Sequence, residues 1–218
     1  MRKVPLTTNE IYHIFNRGVN KGDIFFLDRD YKRFLQTALH YKTKTSKFSY
    51  ETISNISNDP VSLRPVGVEK PPRVQIFAYC LMPNHFHFLI KQLVDGGITS
   101  FLRQLSNSYS HYVNIKHKRI CPLIQGRFKN ILIESQEQFL HVSRYIHLNP
   151  LVTDLIPDLK DYSWSSYLAY ISDFKDELVD SELILANFKS KKTYEQFVLD
   201  QADYGRALEQ IKHLTFDE

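Results

Sequence analysis

The chain has 218 residues, of which 43% are hydrophobic and 24% charged, with a formal net charge of +4. That length and apolar content suit one generous domain and exclude a disordered or fibrous chain, while the mild basicity permits a nucleic-acid partner without requiring one. Two cysteines, Cys80 and Cys121, are too few for a disulfide framework, and no apolar run has membrane-spanning length or the character of a secretory signal, so the expectation is a cytoplasmic protein with no membrane partner.

In chain order, residues 11–17 (Ile-Tyr-His-Ile-Phe-Asn-Arg) predict a first strand, and residues 30–41 a helix that opens on Asp30 as a cap. Residues 44–72 are rich in Ser, Asn, Pro and Lys without periodicity and predict an exposed insertion. Residues 74–80 and 86–92 predict an antiparallel pair of strands joined through Met82-Pro-Asn84. Residues 99–116 predict a long amphipathic helix with Phe101, Leu102, Leu105 and Tyr109 inward, and residues 128–133 a β-branched strand. A further helix is predicted over 139–148. It should end near Asn149, because Pro150 disfavours helical geometry in the residue before it. This order predicts an α+β fold, a ferredoxin-like antiparallel sheet with helices packed on one face. Residues 181–188 and 194–211 predict a C-terminal helical tail. The expected division is a main domain over 1–165 and a helical extension over 166–218.

Two pairs of side chains carry the candidate chemistry. An extended chain sends residues i and i+2 to the same face, so His85 and His87 project together while Phe86 packs beneath. Paired imidazoles suit a divalent metal, although a bare His-x-His is equally at home as one buried and one surface histidine on an ordinary strand. Tyr145 and Asn149 stand four apart on a helix and share a face. A phenol attacking a phosphodiester needs a nearby cation to neutralise developing charge, and an Asn carbonyl can serve as a third ligand. The mixed nitrogen and oxygen donors point to Mg²⁺ or Mn²⁺. Residues 103–129 include Arg103, Lys116, Lys118, Arg119, Arg127 and Lys129, with His111, Tyr112 and His117 among them, and contain no acid. Basic groups neutralise phosphates while aromatic faces stack unpaired bases.

The blocks Tyr12-His-Ile-Phe-Asn-Arg-Gly18, Ala78-Tyr-Cys-Leu-Met-Pro-Asn-His-Phe-His-Phe-Leu-Ile90, Gln125-Gly-Arg-Phe-Lys129, and Tyr145-Ile-His-Leu-Asn-Pro150 followed by Tyr162-Ser-Trp-Ser-Ser-Tyr167 stand in this order along the chain. Taken together they resemble the single-tyrosine HUH transposases, with the REP-associated tyrosine transposases as the nearest branch. The resemblance runs in unbroken order over about residues 8–170 and makes the 1–165 region the catalytic domain. It implies that His85 and His87 bind a divalent metal and that Tyr145 is the nucleophile on single-stranded DNA. Asn149 falls in the third-ligand position, where better-known relatives carry Gln, one methylene longer. The resemblance further implies a 5′-phosphotyrosine intermediate and hairpin-flanked target sites. Arg127 and Lys129 are then the first candidates for phosphate contact, with Asn16, Arg17 and Arg103 behind them. Two other classes stay open: a domesticated DNA-binding protein, and a metal-dependent nuclease that uses water. Whether the protein is a monomer or a homodimer is not legible.

Overall fold

The computed structural model describes residues 5–43, 71–203 and 205. Four strands form one antiparallel sheet: β1 (Ile11–Arg17), β2 (Val74–Met82), β3 (His85–Gln92) and β4 (Lys129–Leu132), in the order β2-β3-β1-β4. The principal helices are α1 (Asp28–Thr43), α2 (Gly97–Lys116) and α3 (Gln136–Val152), followed by the short α4 (Tyr167–Ile171), α5 (Glu182–Leu185) and α6 (Lys191–Leu199). The expected insertion lies outside the described residues over 44–70, as does the end of the expected helix 194–211 over 206–211.

The α+β class and the antiparallel sheet with helices packed against it are as the sequence predicts. The helices cover both faces rather than one, because both alternating sets of strand side chains are apolar. Tyr12, Ile14, Phe86, Phe88 and Ile90 face α1 and α2, packing with Phe34, Phe101, Leu105 and Tyr109. Ala78, Cys80, Met82 and Leu89 face the other way, toward Phe139, Ile146, Leu148 and Leu151 of α3. An irregularity between Ile76 and Ala78 also turns Phe77 to this second side, where its ring meets Phe139 edge-on at 5.0 Å. Each such buried aromatic contributes roughly 2–3 kcal/mol.

Helix α3 passes through Pro150 instead of ending before it. Proline deprives the preceding turn of one backbone donor. The carbonyl that loses its donor is that of Ile146, and the helix is held past the proline by the burial of Pro150 and Leu151; Asn149 Nδ2 donates to the neighbouring Tyr145 carbonyl at 2.9 Å. Asp30 lies inside the first turn of α1, where it accepts from the backbone of Phe26 and Leu27 and from Tyr112 Oη, and pairs with Lys116 at the far end of α2. Gly18 follows β1 where the chain doubles back, and a Cβ there would stand 1.9 Å from the Gly22 carbonyl oxygen.

The segment after Asp161 packs against β2 and α3. Leu81 donates to the Trp164 carbonyl at 2.9 Å and Ser166 to the Tyr79 carbonyl at 3.0 Å, which covers the outer edge of β2. Tyr167, Tyr170, Ile184, Tyr194 and Val198 join the core beneath α3. Among the described residues no helix is long and apolar enough to cross a membrane.

Candidate active site

Strand register decides which side chains meet. His85, His87 and Leu89 lie opposite Arg17, Phe15 and His13 of β1, and Phe15 lies opposite Lys129 of β4, so this whole set shares the face that carries α3. Tyr145 projects from α3 over that face. Its ring stands edge-on to His87, with centroids 5.6 Å apart, and to His13 at 5.8 Å. The His85 and His87 rings are 5.0 Å apart at 85°. Tyr145 is 43% exposed and His87 only 5%, so a phenol open to solvent sits above a buried imidazole.

The histidines are oriented by their neighbours. His85 Nδ1–H donates to Asn84 Oδ1 at 2.6 Å, which leaves the lone pair on Nε2. His87 Nδ1 and His13 Nε2 are joined by a 2.9 Å hydrogen bond. Burial pushes the His13 imidazole down to about 4. It pushes His87 well below the ordinary range too, with the neighbouring His13 and His85 acting in the same direction. Both are therefore neutral at pH 7, the state in which imidazole binds metal.

Asn149 is buried with its amide nitrogen committed to the Tyr145 carbonyl, so its oxygen is the end that can turn to a cation. Among the described residues no group of three His, Cys, Asp or Glu is placed to hold a metal. The residues that could hold a cation are His85 and His87 on β3, with the Asn149 amide oxygen on α3 as a candidate third donor. Two neutral imidazoles and an amide fit a divalent ion that completes its shell with water or phosphate oxygens.

His147, two residues from Tyr145 on α3, belongs elsewhere. Its Nδ1 is bonded to Tyr194 Oη at 2.8 Å and its Nε2 to Ser166 Oγ at 2.7 Å, in a buried network that ties α3 to the C-terminal segment. Burial lowers its pKa to about 3. The unfolded chain, with histidine near 6.5, then binds a proton over the window from about 6.5 to 3 that the folded chain refuses, so stability is full above the window and falls as pH falls through it. We expect unfolding free energy to drop between pH 7 and pH 4.5, with about 3 kcal/mol coming from His147 alone. Urea titrations check this: His147→Gln should flatten the dependence, and an unchanged slope would refute the assignment.

The expected DNA-contacting residues fall in two places. Arg17 and Lys129 sit on the histidine face, with Arg17 Nε donating to Gln125 Oε1 at 2.8 Å. Asn16 points the other way. Together with Arg103, Asn107, Arg127 and Phe128 it lines a groove of about 530 Å³ against α2. Gly126 takes a positive φ of 49° at its rim, which favours glycine there.

The sequence reading gave no role to His13 or Asn84, although both lie in its quoted blocks. The alternation of Tyr12 and Ile14 with His13 and Phe15 placed His13 off the α1 side, but only the β1–β3 register shows that it meets His87.

Residues 65–149 match the family described as "Transposase IS200 like". A solved structure of a REP-associated tyrosine transposase bound to a REP hairpin is 14% identical, with 83% of this chain and 90% of that chain covered and a TM-score of 0.54. No curated protein matches. The solved relative shares the fold.

Proposed function

We propose, taking as premise the IS200-like transposase segment over residues 65–149, that the protein cleaves and rejoins single-stranded DNA at hairpin-flanked sites through a 5′-phosphotyrosine on Tyr145. The observation that carries the reading is the exposed Tyr145 ring, edge-on to buried His87 and on the same sheet face as His85. Tyr145 Oη forms a bond to phosphorus as the bond from phosphorus to the 3′ oxygen breaks. The phenol proton is lost and the departing 3′ oxygen gains one. A second 3′-hydroxyl then attacks the phosphotyrosine and restores the phenol. One phosphodiester is exchanged for another, so no nucleotide cofactor is needed.

The cofactor in this reading is Mg²⁺ or Mn²⁺ held by His85 and His87, with the Asn149 amide oxygen as third ligand. When bound it supplies positive charge to the scissile phosphate. Asn84 holds His85 in the tautomer this requires. His147 is excluded as the base that takes the phenol proton, since both its nitrogens are engaged in the buried network.

The deciding experiment incubates the protein with Mn²⁺ and a hairpin-bearing single-stranded oligonucleotide and resolves the products on a denaturing gel. A covalent protein–DNA species is expected. Nicked DNA without an adduct would mean attack by water, and binding without cleavage would mean a domesticated binding protein.

Lys129 lies on the histidine face and Arg127 in the neighbouring groove, and in this reading both contact one DNA strand that passes around the β4 edge. Replacing both with Gln should weaken binding to that oligonucleotide. It should also flatten the salt dependence by a slope of roughly 0.7 for each phosphate contact removed. Affinity and slope equal to the parent's across a salt titration would take both residues off the DNA path.

A further inference from the structure

We propose that His13 is a positioning residue for His87, accepting a hydrogen bond from His87 Nδ1–H so that the His87 Nε2 lone pair is turned toward the metal. The inference rests on the metal-dependent reading of His85 and His87 and adds to it a residue on another strand.

A metal-ligand role for His87 requires one direction for this bond. His13 Nε2 and His87 Nδ1 are 2.9 Å apart, and their rings are nearly parallel, with 21° between planes and centroids 5.1 Å apart. One of the two nitrogens carries the proton. With the proton on His13 Nε2, His87 would accept at Nδ1 and hold its own proton on Nε2, where a metal ligand needs a lone pair. With the proton on His87 Nδ1, Nε2 is the basic nitrogen. The neighbouring ligand is arranged alike, since Asn84 Oδ1 accepts from His85 Nδ1–H. Both imidazoles are thus engaged at Nδ1, one by an amide oxygen and one by a third imidazole. Such outer partners fix the ring and raise its basicity.

The ring of His13 is also held firmly. It is buried, packs against Phe15 at 5.1 Å, and meets the edge of Tyr145 at 5.8 Å. A fixed His13 gives His87 one orientation and seats it beside the tyrosine.

The test has two independent arms. Long-range ¹H–¹⁵N spectra of histidine-labelled, metal-free protein, with the His87 signals assigned from a His87→Ala sample, should show His87 protonated on Nδ1. A proton on Nε2 overturns the proposal whether or not the protein binds metal. Mn²⁺ titration is the second arm. His13→Phe keeps the ring but removes the acceptor, and should weaken Mn²⁺ binding by roughly 10- to 100-fold. His13→Gln places an amide oxygen near the former Nε2 and should restore affinity close to the parent's. A His13→Phe protein that binds Mn²⁺ like the parent, or a His13→Gln protein no better than His13→Phe, overturns the positioning role. Loss of His85-dependent Mn²⁺ binding in the parent itself would instead refute the metal reading, and the tautomer spectrum would still decide the bond.

Discussion

A Tyr145→Phe variant should form no covalent adduct with DNA while folding and binding metal and DNA as the parent does. Only the hydroxyl is removed. The ring, which makes the edge contacts to His13 and His87, is retained. Because the residue is 43% exposed, the stability change should stay within about 0.5 kcal/mol. Thermal melts, a DNA titration and the denaturing gel together check these expectations. Undiminished adduct would move the chemistry to another phenol, and the two next on the basic segment are poorly placed for it. Tyr109 Oη donates to the Ile24 carbonyl inside the core, and Tyr112 Oη to Asp30, both on the opposite face of the sheet from Tyr145.

What could be read from the sequence follows from local periodicity. The spacing of two put His85 and His87 on one face of a strand, and the spacing of four put Tyr145 and Asn149 on one face of a helix; β3 and α3 have these geometries. What escaped depends on register and tertiary cover. His13 meets His87 only because β1 lies antiparallel to β3 with Phe15 opposite His87, and no local pattern encodes that pairing. The placement of helices on both faces turns on which apolar set each helix covers. Pro150 signals a helix end locally, yet the burial of Pro150 and Leu151 carries α3 past it. The short C-terminal helices carry no local pattern that says what they cover. Their tyrosines enclose His147, two residues from Tyr145, so the segment helps set the rotation of the helix that presents the phenol.

His85→Ala and His87→Ala should each reduce cleavage to background, and chelation with EDTA should mimic both. In the proposed site a hard divalent ion has three protein ligands and cannot spare one, so Mn²⁺ affinity should fall by more than the roughly 10- to 100-fold typical of losing an outer partner. The two variants should differ in stability, because their surroundings differ. His85 is partly exposed and bonded to Asn84, so its removal should cost about 1 kcal/mol or less. His87 is buried between Phe15, His13 and Tyr145. Removing it leaves a cavity and takes the partner from buried His13, which should cost about 2–4 kcal/mol. Equal loss of cleavage with unequal melting temperatures separates a shared chemical role from unfolding. Full cleavage by a chelator-treated, metal-free preparation would remove the metal from the mechanism and leave His85 and His87 as packing and hydrogen-bonding groups beneath the tyrosine.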